Sequence, residues 1–477
     1  MNALDWARIQ FMVTTLFHFI FVPMSIGLAL FVALCQTRWY RSGDELWLRA
    51  TRFWGKFLLI SVAIGVVTGL VQEFQFGMNW SLYSRYVGDI FGAPLAMEGL
   101  IAFFMESTFI GLWIFGWGRL SKRLHLATIW LVAIGTTLSA YFILAANSWM
   151  QHPVGYHLDG FAHKAVLSNI FSVLFNSTVL LAFPHTVLGA FATGGMLVVA
   201  VCGWLMLRGK GSAVVSRSLR MALPLVTIAV FATMLFGDGQ GRLLEHQQPM
   251  KMAAAEAVCH TGSSSTNGFS LFSIGTPHPC TAGHISSIRI PHLLSLIEDF
   301  SWNSTIQGVD NIQRAEQAEY GPGNYVPIVG VEYWSFRWMI GAGTLMLLIA
   351  LFGWWRGRRP GTLERSRAFQ RLALLGLVLP IIANWCGWIF TEAGRQPWVV
   401  FGLLKTSQAN SPNVGTTDLI LTLSGYIVLY GVLIAVGGWL MVKEAGHGPE
   451  PDPGSEPPNR PHDERPGAGN PDLTLAY

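Results

Sequence analysis

The sequence predicts an all-α integral membrane protein: nine transmembrane helices with a long extracytoplasmic loop between helices six and seven. Three observations carry this. The chain is 52% hydrophobic and only 12% charged, about half the charge of an ordinary soluble domain. Nine apolar windows, each near the length of about 20 residues that crosses the hydrocarbon, fall at 9–35, 52–77, 93–117, 125–149, 180–207, 219–237, 331–355, 370–391 and 417–442. One polar segment, 238–330, is far longer than the other connections.

The elements follow in order. The first window is longer than the apolar core of a secretory signal and has no clear small-residue cleavage site, so it reads as a retained span. Alternate short loops then differ sharply in basic residues. Arg38, Arg41, Arg49, Arg52, Arg119, Lys122, Arg123, Arg208, Lys210, Arg217, Arg220, Arg356, Arg358, Arg359, Arg365, Arg367 and Arg371 fall in one set, against Arg85, Lys164, Arg395 and Lys405 in the other. Basic loops stay inside, so the N-terminus is expected outside the cytoplasm and the C-terminus within it. The net charge of +4 follows from this bias. No basic domain or nucleic-acid motif is present, so no nucleic-acid partner is expected. Residues 1–237 thus hold spans one to six, 238–330 the outer loop, and 331–443 spans seven to nine. The tail 444–477 is rich in Pro, Gly, Asp and Glu and is expected to be disordered and cytoplasmic. Structureless loops as long as 238–330 are usually functional or disordered. Cys259 and Cys280 both lie in it, in an oxidising compartment, so a Cys259–Cys280 disulfide is expected. Cys35, Cys202 and Cys386, in or at the ends of spans, read as packing residues.

Polar residues at matched depths point to chemistry. Counted from the window edges, His185 lies six residues into span five and Met339 eight into span seven, both entering from outside. The helical rise puts both roughly 9–12 Å deep. A neutral imidazole and a thioether at one depth suit the His/Met axial ligation of a low-spin heme, and Arg337, two residues before Met339, suits a heme propionate. His18 lies about ten residues into span one. Span three carries Glu98 and, eight residues on, Glu106, on broadly one side because eight residues turn about 80° past two revolutions. Intramembrane carboxylates are functional by default. The run GWIFTEAGRQPW ends span eight and brings Trp388, Glu392 and Arg395.

The stretches RIQF, FHFIFVP, FWGK, GLVQEFQFGMNWSLYSRYVGDIFGAPLAMEGLIAFFMESTF, ANSWMQ, FPHT, FRWM and EAGRQPW resemble subunit I of the cytochrome bd quinol oxidases over residues 1–443, with an outer loop like the family's shorter variant. The resemblance implies reduction of dioxygen to water by a membrane quinol through three cofactors: a low-spin heme b, a high-spin heme b and a heme d. It implies His185 and Met339 as ligands of the low-spin heme b, His18 and Glu98 for heme d, and Glu392 for the high-spin heme b; family members differ in how the last two hemes are arranged. Glu106 matches a residue of the proton route, with Ser107 and Ser139 as hydroxyl neighbours. Lys251 and Glu256, in PMKMAAAEA, match residues of quinol oxidation, and Arg337 and Arg395 match arginines near the hemes. A second membrane subunit and a bacterial inner membrane are implied, and small accessory subunits are compatible with the resemblance. Quinol oxidised outside and protons taken from the cytoplasm would generate a proton motive force without pumping. Among rival readings, a heme-copper oxidase would need more intramembrane histidines than His18 and His185. A membrane cytochrome b carrier without oxygen chemistry would not need Glu98, Glu106 and Glu392 in one membrane half.

Overall fold

A computed structural model describes residues 2–161, 163–275, 278, 280 and 285–450. Among them are nine helices long and apolar enough to cross a membrane: Ala3–Ser42, Glu45–Met78, Ser81–Phe115, Lys122–Gln151, Ser177–Leu207, Ala213–Gln247, Val329–Gly357, Arg367–Ala393 and Thr416–His447. They are taken below as the first to ninth spans. Strands occur as four two-stranded antiparallel pieces confined to the connections. The protein is therefore an all-α multi-pass membrane protein.

The helices overrun the apolar windows because hydropathy marks the edge of the hydrocarbon, whereas a helix continues until its backbone is capped. Asn2 and Asp5 form a capping box at the start of the first span, Gly43 closes it at φ 67°, and Ser121 and Ser212 cap the fourth and sixth. The largest overrun corrects an expected boundary. The sixth span runs on to Gln247, so residues 238–247, expected in the loop, are helical. Arg242 and Asp238, one turn apart and 2.7 Å from each other, support this polar extension. The expected tail begins at 444, but the ninth span reaches His447; residues 451–477 lie outside those described.

The helices pack most tightly at the end remote from the long loop. Leu28, Phe31, Val32, Phe53, Trp54, Phe57, Val198, Val199 and Leu219 form one buried cluster there. The first and fifth spans touch backbone to backbone: a Cβ on Gly27 would sit 2.3 Å from Ala190 O, and one on Gly194 2.6 Å from Gly27 Cα. Small residues permit this approach between membrane helices, which fixes the spacing of the helices that bear His18 and His185. At the loop end the burial changes character. Residues 15–20, 181–186 and 381–389 are each uninterrupted half-buried stretches. These are helix segments without dense packing on any side.

The long loop lies over this end. A short helix, Pro249–Ala255, is buried from Met250 onward, and Met250 and Ala253 pack on Val309 and Ile312 of the helix Val309–Tyr320. A ribbon pairs Phe269–Gly275 with Ile285–Ile290, and Cys259 is joined to Cys280.

Candidate functional site

His18 and His185 are each held by a neighbouring helix through one ring nitrogen, unlike His125 of the fourth span, whose two ring nitrogens are both engaged, by Gln36 and by Trp113 O. His185 Nδ1 lies 2.9 Å from the backbone oxygen of Thr233 in the sixth span. A carbonyl only accepts, so Nδ1 carries the proton and Nε2 keeps its lone pair. His18 Nδ1 is 2.9 Å from Thr68 Oγ1 in the second span. That hydroxyl is within 3.0 Å of the Ile64 and Gly65 carbonyls; donating to them, it accepts from Nδ1–H, and Nε2 is again the free nitrogen. Such an arrangement is the usual support of a metal-ligating histidine. Glycines leave room for the rings: a Cβ at Gly69 would be 3.2 Å from His18 Cε1, and at Gly237 3.1 Å from His185 Cε1. Met339 has the same relation to the eighth span, where a Cβ on Gly387 would lie 3.1 Å from its Sδ. Counted from the helix starts, His185 is eight and Met339 ten residues in, about 3 Å apart in depth. Trp388 lies edge-on to Phe19, beside His18, with centroids 4.6 Å apart, and the Trp385 indole donates to Leu16 O at 2.7 Å.

The third span is not uniformly α-helical. Residues Glu98–Phe103 form a π segment, with the amide of Phe104 donating to Gly99 O. Ser139 of the fourth span donates to Glu98 Oε1 at 2.7 Å. One turn along, Gly135 faces the backbone of Glu106, where a Cβ would be 3.2 Å from its nitrogen. The structure thus pairs Ser139 with Glu98 instead of Glu106. The expected Ser107 neighbour is exposed, its hydroxyl bonded to Phe104 O of its own helix at 3.3 Å.

The loop charges Lys251 and Glu256 are buried, each 1% exposed, and they do not meet each other. Lys251 Nζ donates to Gln151 Oε1 at 2.7 Å and to Thr391 O at 3.0 Å. Burial and the Arg395 guanidinium push this ammonium down to about 7, against the opposing pull of Glu332 and Glu392. Glu256 accepts from Arg337 Nη2 at 2.6 Å and from the amide of Ser270 at 3.3 Å. Burial raises its carboxyl while Arg337 pulls it down. Arg337, expected to face an anionic group, is therefore partly engaged by Glu256, by Ser270 O at 2.7 Å and by the rings of Phe269, Tyr333 and Phe336. On the eighth span Glu392 accepts from Asn147 Nδ2 at 2.9 Å and pairs with Arg395. Asn147 and Gln151 sit in the ANSWMQ motif, but sequence reasoning gave them no role. Glu332, at the edge of its apolar window, was given no role either.

The residues present fit hemes. Two histidines offer unprotonated Nε2 atoms, and the helix segments around them and around Glu392 are half-buried. Arg337 Nη1 and Arg395 Nε and Nη1 are buried donors without a partner. A buried guanidinium with open N–H groups strongly favours an anionic acceptor such as a propionate.

Comparison with known proteins shows the family. The family model described as cytochrome bd terminal oxidase subunit I matches residues 6–449. The chain is 42% identical over 452 residues to the cytochrome bd ubiquinol oxidase subunit 1 of Bacillus subtilis (strain 168), covering 95% of each chain. It is 36% identical over 504 residues to the cytochrome bd-II ubiquinol oxidase subunit 1 of Escherichia coli (strain K12), covering 94% of this chain and 97% of that one. Among solved structures it is similar to the bd oxidase from Geobacillus thermodenitrificans, with a TM-score of 0.85 at 25% identity over 94% of this chain and 99% of the other. The chain belongs to the cytochrome bd terminal oxidase subunit I family.

Proposed function

We propose that this chain is the heme-bearing subunit of a respiratory quinol oxidase. It oxidises a membrane quinol at the loop end, taken as the extracytoplasmic face, and reduces dioxygen to water with protons drawn from the cytoplasm. The observation that carries the reading is the pair of span histidines. Each has Nδ1 engaged by a second helix and Nε2 left unprotonated, within half-buried helix segments. When bound, the hemes would supply the electron path from quinol to dioxygen: a low-spin heme b on His185 and Met339, a heme d on His18 with Glu98, and a high-spin heme b on Glu392 beside Trp388.

The chain's own residues do the rest. Arg337 and Arg395 hold carboxylates, already Glu256 and Glu392, and their open N–H groups are available to propionates. Lys251 and Glu256 bind and orient the quinol head group and take up its protons under cover of the loop. Glu106 and Glu98, with Ser139 donating to Glu98, relay protons toward dioxygen from the opposite side. Ser107 is left out because its hydroxyl bonds to its own helix. Protons released on one face and consumed from the other make the reaction electrogenic without a pump. Family membership implies a partner subunit II in the membrane; any small accessory subunits belong to the proposal.

The test is the visible spectrum and oxygen consumption of the purified complex, wild type against Glu106→Gln, which keeps shape and loses the titratable proton. The expected result is a reduced heme d band well to the red of heme b in both. Oxygen consumption with quinol, and with an artificial donor that bypasses the loop, should be impaired in the variant alone. Heme b bands without heme d and without oxygen uptake would instead identify a cytochrome b electron carrier.

A further inference from the structure

We propose that Glu332 is a positioning residue for quinol oxidation, holding Lys251 against the loop end of the seventh span from across Gly394; this rests on the reading of Lys251 as a quinol-site residue. Glu332 is fully buried, and neither carboxylate oxygen has a hydrogen-bond partner. A buried carboxylate so placed needs a nearby cation or donor to be tolerated. The one it faces is Lys251. A Cβ at Gly394 would lie 2.4 Å from Glu332 Oε2 and 2.6 Å from Lys251 Cγ, so both side chains pass through the space that the missing methyl leaves. Gly394 has φ −68°, which any residue can adopt, so its glycine is required for space and not for conformation.

The surroundings fix the geometry further. Lys251 Nζ uses two of its three donors on Gln151 Oε1 and Thr391 O, and Gln151 Oε1 is shared with Gln248 Nε2 at 2.9 Å. Glu392 of the eighth span and Arg395 just beyond it face the same ammonium and are paired with each other. That leaves Glu332 as the carboxylate near Lys251 that no other cation holds. The loop segment therefore lies against the seventh span at two places of opposite charge, Lys251 across Gly394 from Glu332 and Glu256 bonded to Arg337. Five residues separate the partners on each segment. Two such places, in the same order along both segments, fix the register and the direction of the loop helix, whereas one would leave it free to pivot.

The experiment uses the intact oxidase with its partner subunit. It measures kcat and KM for a short-chain quinol in Glu332→Gln, Glu332→Asp, Lys251→Met and the double variant Lys251→Met/Glu332→Gln. The low-spin heme absorbance serves as the check on assembly. We expect each of Glu332→Gln and Lys251→Met to lower kcat/KM by about tenfold, the double variant to fall no further than the worse single variant, and Glu332→Asp to recover part of the loss. Multiplying losses would overturn the pairing, as would wild-type behaviour of Glu332→Gln. Wild-type kcat/KM in Lys251→Met would instead sink the quinol-site reading itself. If Glu332→Gln fails to assemble because it strands the lysine, the double variant, which removes both charges, should restore assembly. Failure of the double variant to do so would also overturn the pairing.

Discussion

Replacing Glu256 by Ala should release the loop helix, and the structure sets how far. Glu256 is 2% and Arg337 10% exposed at the side chain, and their contact is 2.6 Å. Removing one member of a buried pair leaves the other charge uncompensated, at about 3–5 kcal/mol. The rings of Phe269, Tyr333 and Phe336 around the guanidinium and its bond to Ser270 O place the expected loss at the lower end. At about 1.4 kcal/mol per tenfold, loss of about 3 kcal/mol raises the population of the locally opened loop roughly a hundredfold. Hydrogen exchange of amides in 249–258, measured on the full oxidase, reads this opening directly. Glu256→Gln retains an acceptor for Arg337 and should show a smaller increase. Quinol-driven oxygen consumption should fall in Glu256→Ala while a donor that bypasses the loop still supports it. Exchange within threefold of wild type would refute the buried-pair argument. Equal failure of the bypass donor would refute the separation of the loop from oxygen reduction.

Three further outcomes are expected. Met339→Leu, close to volume-conserving, should abolish the low-spin heme b signal in the absorption spectrum and block reduction by quinol. Mass spectrometry of unreduced peptides should find Cys259 joined to Cys280, and recovery of both as alkylated thiols would contradict the bridge in the structure. Burial and Glu319 raise Glu316 to about 7. The folded helix Val309–Tyr320 therefore binds more protons than the unfolded chain between the ordinary carboxylate value and about 7. Its protection against exchange, corrected for intrinsic rates, should be greatest at acid pH and decline as pH rises through that window; Glu316→Gln should flatten the decline.

Composition and periodicity made the nine spans legible because a helix in hydrocarbon must satisfy its own backbone and present apolar side chains. The helix ends were not legible: residues 238–247 are as polar as a loop but continue the sixth helix, since hydropathy reports solvent and not hydrogen bonding. Single residues at cost in an apolar setting, His18, His185, Met339, Glu98 and Glu392, stood out for the same energetic reason. Pairings did not. Lys251 and Glu256 look like ordinary surface charges in PMKMAAAEA, and only the fold, by setting Lys251 against Gln151 and Thr391 and Glu256 against Arg337 and Ser270, turns them into buried groups. Glu332 escaped because it stands at the edge of its window, where an acid is commonly solvated; in the structure it is fully buried.

The third span shows how a local backbone feature corrects an argument from spacing. In a regular α-helix Glu98 and Glu106 would stand about 80° apart around the axis. The π segment Glu98–Phe103 inserts roughly one residue without adding a turn. The eight-residue interval then turns as seven would, ending about 20° short of two revolutions. The two carboxylates come nearly into line, about 12 Å apart along the helix by its rise. The fourth span meets the same line twice, through Ser139 at Glu98 and through Gly135 at the Glu106 backbone. Ser139 and Gly135 are themselves four residues apart, one α-helical turn. A strictly α-helical third span would rotate one carboxylate out of this row, which gives the π segment a consequence for the proposed proton relay that the amino-acid spacing alone does not contain.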